Sequence, residues 1–225
     1  MSPSTTVRLS GMAMVVGAVV VFVTTLIGAL VFVGANPSAY ANGGLYTPVN
    51  LIGFFGLALV LVGLPATFVA WDGKLGTLGV VGVFLIFVTG LMFGVFFNLF
   101  SALFVPYIVQ HAPNLLNGNN GPAPLLPFFI AGSVGQVVGC VLLAIQILRG
   151  FVSQRWVAIA LILSAVMQVV SFLTGGSAGN VLLSLINSLN VFLLLAALGG
   201  IGYELWSGSQ AVAPQQQTVG VPTLP

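Results

Sequence analysis

Charged side chains are almost absent from this chain. Asp, Glu, Lys and Arg make up 3% of its 225 residues and 59% are apolar, whereas a soluble domain carries about 25% charged residues. A water-soluble protein of this composition would lack a polar surface, so the composition predicts an integral membrane protein. The four cations are also too few and too scattered to contact a phosphate backbone, which excludes nucleic acid as a partner.

Cysteine and histidine are limited to one residue each, Cys140 and His111. A single cysteine excludes an internal disulfide and a cysteine-based metal cluster, and a single imidazole excludes a site built on a histidine pair. No base is expected near Cys140, and neither Ser164 nor Ser184 has a His or Lys partner inside the membrane. We therefore expect no catalytic residue, no cofactor and no metal, and we expect the protein not to be an enzyme.

Six apolar runs are each long enough to cross the ~30 Å hydrocarbon core of a bilayer, which takes about 20 helical residues. They lack the period-2 alternation of a transmembrane β-barrel. The sequence therefore predicts an all-α polytopic transmembrane helical bundle over residues 1–206, with a disordered cytoplasmic tail over residues 207–225. The predicted spans cover residues 11–33, 49–70, 76–98, 125–148, 156–174 and 180–203.

Two of these boundaries stay open. The third span could continue from Phe100 to Pro106, either as a tilted helix or as a short interfacial helix. The first span could be a leader that is removed after residues 39–41, which read Ala-Tyr-Ala. Its apolar run covers residues 11–33, whereas the apolar part of a secretory leader has about 7–15 residues. The length therefore favours a retained span.

The few charged residues are not distributed evenly between the two sides of this predicted bundle. Short cytoplasmic loops are enriched in Lys and Arg, so the pattern predicts that both termini are cytoplasmic. The positions of the tryptophans are consistent with this topology. Each tryptophan lies at an end of a span on the charged side, and amphipathic rings favour the headgroup level of the membrane. The residues on the charged side are Arg8, Asp72, Lys74, Arg149, Arg155 and Glu204.

Glycine recurs at helical spacing in three of the predicted spans. Lipid is as apolar as leucine, so transmembrane helices associate through close packing over small residues and through interhelical hydrogen bonds. We interpret these glycines as grooves for helix packing, with those of the third span on one side of their helix. They are Gly53 and Gly56 in the second span, Gly90 and Gly94 in the third, and Gly132, Gly135 and Gly139 in the fourth.

Polar side chains form stripes on the last three spans. The tight turn predicted between the fifth and sixth spans would make these helices antiparallel neighbours, so their stripes could exchange hydrogen bonds. The same residues could instead line a cavity for a small neutral ligand, and both readings stay open. The candidate residues are Gln136 on the fourth span, Ser164, Gln168 and Ser171 on the fifth, and Asn180, Ser184, Asn187 and Asn190 on the sixth.

The segment VPYIVQHAPNLLNG, residues 105–118, follows the long third span. With the six-span layout and the charge-poor interior, it resembles small multipass proteins of bacterial membranes for which no activity is established. The resemblance implies a multipass protein of the bacterial cytoplasmic membrane. It implies no activity and assigns no functional residue.

Two function hypotheses follow. In the first, the protein is a non-enzymatic membrane component, held in the lipid bilayer, whose glycine-rich faces pack against a membrane protein partner or a second copy of itself. In the second, it is a transporter or channel for a small neutral or lipophilic solute, lined by the polar stripes of spans four to six. A continuous cavity beside Gln168 and Asn187 would favour the second hypothesis. Interlocked stripes and a glycine groove that faces lipid would favour the first.

Overall fold

A computed structural model describes residues 3–32, 40–41, 43–71, 74–113, 126–151, 154–174 and 181–208. Within these residues the chain is helical and contains no strand. Two short π-helical segments, Gly90–Phe96 and Ile147–Phe151, continue from regular helices. The α-helices are α1 (Pro3–Val31), α2 (Tyr46–Gly63), α3 (Ala66–Ala70), α4 (Gly76–Thr89), α5 (Phe97–His111), α6 (Leu126–Gln146), α7 (Arg155–Leu173) and α8 (Val181–Gly208).

Six helical stretches are long and apolar enough to span a membrane, which confirms the predicted all-α six-span bundle. They cover Thr5–Val31, Tyr46–Ala70, Gly76–His111, Pro127–Arg149, Arg155–Leu173 and Leu185–Gly208. The last helix runs to Gly208, two residues beyond the predicted end of the transmembrane domain. The rest of the predicted tail lies outside the described residues.

The third span is longer than a bilayer requires. Its 36 residues correspond to about 54 Å of helix at 1.5 Å per residue, against a hydrocarbon core of ~30 Å. The continuation of this span that the sequence left open is helical, and α5 passes through Pro106 and ends at His111. Proline has no N–H, so this helix lacks one backbone hydrogen bond at Pro106.

The second span is interrupted at Leu64 and Pro65. Proline cannot donate the backbone hydrogen bond that a helix interior requires, and its ring clashes with the preceding turn. The Leu61 carbonyl, which a helical residue at position 65 would bond, accepts from the Leu64 N–H at 3.2 Å instead, and the Thr67 hydroxyl donates to the Leu64 carbonyl at 2.7 Å. The span therefore resumes as the short helix α3. This helix ends at Trp71, which is buried.

The six spans form a closed ring in chain order. Each packs chiefly between the spans before and after it, and α1 closes the ring against α8. Since consecutive spans run in opposite directions, an even number allows the first and last also to meet antiparallel. Gln146 donates to the Lys74 carbonyl at 3.0 Å, and Trp156 packs on Gly200. These contacts bring together the helix ends that carry Arg8, Lys74, Arg149, Arg155 and Glu204. We call this end of the ring the charged end.

Close backbone contact holds α1 in this ring. A Cβ atom added to Gly17 would lie 2.9 Å from the Val60 nitrogen of α2 and still closer to the Gly56 carbonyl. A Cβ added to Gly11 would lie 2.7 Å from the Trp206 nitrogen of α8. Only residues without a side chain allow the helices to come this near, so glycine sets the distance from α1 to both neighbours.

The ring is filled with side chains at its charged end. Large apolar residues there are buried to 4% exposure or less and belong to one hydrophobic cluster. They come from several of the six spans, so this end of the bundle is a packed core. Its members include Met14, Leu64, Leu143, Ile147, Leu161, Ile201 and Leu205.

The close approach of α1 can be tested by comparing Gly17→Ala with Gly28→Ala in the same helix. Alanine has the higher helix propensity by about 1 kcal/mol at either position. At Gly17 the methyl group would strike the backbone of α2, and overpacking costs about 1–3 kcal/mol. At Gly28 the nearest atom is 3.9 Å away. We expect Gly17→Ala to lower the thermal unfolding midpoint in detergent and Gly28→Ala to leave it unchanged or raise it. Equal midpoints would contradict the packing described for α1.

Candidate functional site

A cavity of about 620 Å³ occupies the centre of the ring away from the charged end. Its lining comes from all six spans. Along α2 it is bordered by residues from Tyr46 to Leu61, a distance of about 22 Å at 1.5 Å per residue. This volume falls in the range of small-molecule sites in proteins.

Neutral hydrogen-bonding side chains line much of this cavity. None of the described residues in the lining is Asp, Glu, Lys, Arg or His. The apolar part of the lining is made largely of Val, Leu and Phe side chains. Hydroxyl and carboxamide groups are contributed by Thr24, Thr25, Tyr40, Tyr46, Asn50, Thr89, Asn98, Ser133, Gln136, Gln168, Asn187, Ser188 and Asn190.

One chain of hydrogen bonds links three helices at the cavity wall. Ser164 on α7 donates to the Oδ1 atom of Asn190 on α8 at 2.7 Å. Asn190 donates through Nδ2 to the Oε1 atom of Gln168, and Gln168 donates through Nε2 to the hydroxyl of Ser133 on α6 at 3.1 Å. Ser164 is fully buried and Asn190 nearly so. The network therefore fixes both carboxamides in one orientation.

Other polar groups on the wall keep unused hydrogen-bonding capacity. The carboxamides of Gln136 and Asn187 have no hydrogen-bond partner among the described residues. Asn50 and Asn98 donate to carbonyls of their own helices, at 2.9 Å and 2.7 Å. Each has a side-chain oxygen that is available as an acceptor. The cavity thus offers donors and acceptors to a guest molecule or to water.

Aromatic rings border the cavity at the end opposite the charges. Phe32, Tyr40 and Tyr46 form a triangle with ring centroids 5.1–5.4 Å apart. Burial raises the pKa of the Tyr40 phenol above its usual value, so this group stays neutral at physiological pH. Across the cavity, Phe93 and Phe129 lie 5.6 Å apart between the third and fourth spans. These rings supply flat apolar surface at the mouth.

The cavity ends in the packed core. Val60, Leu61 and Ile86 line its deepest part and are 4% exposed or less. Leu195 and Leu198 of α8 complete this floor. In this conformation the path toward the charged end is closed by side-chain packing.

The structure brings four of the eight predicted polar residues to the cavity: Gln136, Gln168, Asn187 and Asn190. Ser164 lies behind the wall and holds Asn190 in place. Ser171 is not part of the lining. Asn180 and the side chain of Ser184 lie outside the described residues.

Sequence reasoning missed the polar contribution of the first three spans. Thr24, Asn50, Thr89 and Asn98 line the cavity, but these spans show no repeating polar stripe of the kind found on spans five and six. The π-helical segment Gly90–Phe96 adjoins Asn98 and borders the cavity. Such segments are frequent at functional sites, yet no periodicity argument could place one here.

All seven glycines assigned to helix packing face other helices of the same chain. A Cβ atom on any of them would come within 3.0 Å of such a helix. Gly53 and Gly56 face α1, and Gly53 also faces Asn98 of α5. Gly132, Gly135 and Gly139 face the third span, while Gly90 and Gly94 face Leu61 and Leu57 of α2. These faces are therefore not open grooves for a second subunit.

Glycines on a single face of the third span would all contact the same neighbouring helix. Those of the third span contact two different helices. Gly79 and Gly82 contact α6, whereas Gly90 and Gly94 contact α2. Two causes account for the difference. The glycines span an arc of about 120° at 100° per residue, and a helix in a six-membered ring meets its two neighbours on different sides. The wider turns of the π segment also shift the register.

The polar network can be tested by replacing Asn190 with leucine. The substitution removes both side-chain bonds of Asn190. The Ser164 hydroxyl can still donate to the backbone carbonyl of residue 190, which lies 3.3 Å away, but the Oε1 atom of the half-buried Gln168 loses its donor, and an unsatisfied buried group costs about 1–3 kcal/mol. We expect Asn190→Leu to lower the free energy of unfolding in detergent by that amount. Ser171→Ala is the control and should change it by less than about 0.5 kcal/mol. A stability loss as large for Ser171→Ala would show that the network is not what holds these helices.

No protein-family model matches this chain, and neither a curated protein nor a solved structure is significantly similar to it. The cavity itself is therefore the observation that bears on function.

Proposed function

We propose that this protein is a transporter or channel for a small neutral or lipophilic solute and that the central cavity binds this solute. The observation that carries the proposal is a cavity of about 620 Å³ lined by neutral carboxamides and hydroxyls inside a ring of membrane-spanning helices. No chemistry on the solute is proposed, because the described lining contains no nucleophile paired with a base.

The lining selects against charged solutes. An ion in a membrane interior loses its hydration, and charged groups there are normally paired with an opposite charge. None of the described lining residues can supply that charge. A neutral solute needs only hydrogen-bonding partners for its polar atoms, and Gln136, Asn187, Asn50 and Asn98 provide them.

Interhelical hydrogen bonding does not account for all the polar side chains on the cavity wall. Ser164, Asn190, Gln168 and Ser133 bond to one another and join helices. Gln136 and Asn187 make no hydrogen bond to any described residue. A polar group without a hydrogen-bond partner in a membrane interior costs free energy. Their position on the cavity wall is explained if water or a solute satisfies them.

The alternative role as a subunit that packs through glycine faces has weaker support. Those faces already contact helices of the same chain, so an oligomer would have to use other surfaces. The closed floor of the cavity fits a transporter resting with its site open on one side. Rearrangement of Val60, Leu61, Ile86 and Leu198 would open the other side.

We further propose that the charged end lies in the cytoplasm and that the membrane is the bacterial cytoplasmic membrane. The support is the positive-inside rule together with the contacts that gather Arg8, Lys74, Arg149 and Arg155 at one end of the ring. In this orientation the cavity opens away from the cytoplasm.

Binding can be tested with hexanamide, hexanol and hexanoate, which share a six-carbon chain. We expect saturable binding of the amide and the alcohol to the protein in lipid nanodiscs, and none of the ionised acid at pH 7, because the lining offers it no cation. Equilibrium dialysis with radiolabelled solutes measures this, with empty nanodiscs subtracted. Equal binding of hexanoate, or no saturable binding of either neutral solute, would contradict the proposal.

The same assay tests whether hexanamide binds in the central cavity. Gln136→Leu and Asn187→Leu should each weaken hexanamide binding by about 2- to 10-fold, since one hydrogen bond contributes about 0.5–1.5 kcal/mol. Gln146→Leu removes a carboxamide that bonds to the Lys74 carbonyl outside the cavity, and it should bind as the wild type does. A comparable loss with Gln146→Leu would locate the effect outside the cavity.

Orientation can be tested by thiol labelling of Lys74→Cys in intact cells. Cys140 is fully buried and should not react, so the background is low. We expect an impermeant maleimide to label position 74 only after the membrane is permeabilised. Labelling in intact cells would place the charged end outside and overturn the orientation.

A further inference from the structure

A second, smaller depression lies between α6 and α7. It has a volume of about 140 Å³ and shares Ser133 and Gln168 with the central cavity. Its flanks are exposed apolar side chains; Val134 is 56% exposed and Val169 is 42% exposed. The described residues that line it are Ile130, Ser133, Val134, Val137, Val138, Gln168, Val169 and Phe172.

Ser133 and Gln168 therefore form a partition between this groove and the cavity. Among the described residues, the bond from Gln168 Nε2 to Ser133 Oγ at 3.1 Å is the side-chain hydrogen bond that joins α6 to α7. An interhelical hydrogen bond in a membrane contributes about 0.6 kcal/mol on average, which is close to thermal energy. The hydrogen bond itself is therefore only a small energetic obstacle to a molecule that enters between the two side chains.

Two other parts of the ring are closed more firmly. Toward the charged end, Cys140 and Leu143 of α6, Ile147 at the start of the π segment that follows it, and Leu161 of α7 are fully buried. The contacts of α1 with α2 and α8 depend on backbone packing over glycine. The half of the α6–α7 contact away from the charged end has a polar pair and a groove instead.

We propose that this polar pair is a lateral portal from the bilayer into the cavity. The molecules that use it are amphiphiles dissolved in the bilayer, with a hydrocarbon chain and a neutral hydrogen-bonding head group. The chain lies in the apolar groove, and the head group replaces Ser133 as the partner of Gln168. The proposal rests on the proposed function, since it names the solute class and the route to the same cavity.

The geometry of Gln168 supports this exchange. Asn190 holds the Oε1 atom of Gln168 and is itself held by Ser164. Breaking the bond to Ser133 therefore leaves Gln168 anchored, with Nε2 free to donate to an incoming carbonyl or hydroxyl. Gln136 and Asn187, which line the cavity, can receive the head group next. An ionised head group would meet no cation among the described lining residues.

The test uses hexadecanamide, in proteoliposomes, with a diazirine in the part of its chain next to the carboxamide, so that the label follows the head group into the cavity. After brief mixing and illumination, mass spectrometry locates the labelled peptides. In the wild type we expect label on the cavity wall of α8, within Val191–Leu198, and excess hexanamide should compete with it. Val138→Trp and Val169→Trp fill the groove and should each reduce this label at least 10-fold. Val62→Trp is the matched control, on an exposed position of α2 outside both lining sets, and should label as the wild type does.

Binding of hexanamide to the same samples separates the two proposals, because this shorter amide can reach the cavity from water through its mouth. Hexanamide binding should stay within about 2-fold of the wild type in all three variants. Unchanged cavity labelling in both groove variants would overturn the portal, as would a parallel loss of hexanamide binding. Wild-type protein that binds hexanamide without cavity labelling would overturn the portal and leave the proposed function standing. Wild-type protein that does not bind hexanamide would overturn the proposed function.

Discussion

Backbone contact between α1 and its two neighbours is the interaction on which the rest of this structure depends. Gly17 and Gly56 bring α1 against α2, and Gly11 and Gly202 bring it against α8. Without the second contact the six spans would form an open row with no interior. Once the row closes, six helices about 10 Å wide surround a central space comparable in width to one more helix.

What fills that space differs between the two ends of the ring. At the charged end, leucine, isoleucine and methionine side chains occupy it completely. At the other end, the lining includes small residues such as Thr24, Gly94, Ser133 and Ser188, and the central space is not filled. The two ends of one ring therefore differ in how far side chains occupy its interior.

Much of the architecture could be predicted from the sequence. Hydropathy alone determines how many spans there are, because each must be apolar for about 20 residues. The polar stripes on the last two spans repeat at helical spacing, so Gln168 and Asn190 could be found as candidate residues, although the sequence did not pair them with each other. Thr24, Asn50 and Asn98 could not be found in this way, since each belongs to a span without such a repeat. These side chains line one cavity only because the ring closes, and the closing contact joins residues almost two hundred positions apart, such as Gly11 and Gly202.

Local irregularities explain most of the other differences. Pro65 interrupts the second span where a continuous helix was predicted, and the π segment Gly90–Phe96 alters the register of the third. Arcs calculated at 100° per residue assume a regular helix, so they fail beyond such a segment. The glycines of α6 precede any irregularity in their span. Gly132, Gly135 and Gly139 lie within an arc of about 60° at 100° per residue, and they contact one neighbouring span.

The uncharged lining has a consequence for energetics across the bilayer. A transmembrane voltage does work only on charge, about 2.3 kcal/mol per elementary charge at 100 mV. Amides and hydroxyls carry none, and they do not titrate near neutrality as carboxylates or imidazoles can. A conformational change confined to the described cavity walls would therefore move no formal charge through the membrane field, and its equilibrium would not respond to the voltage.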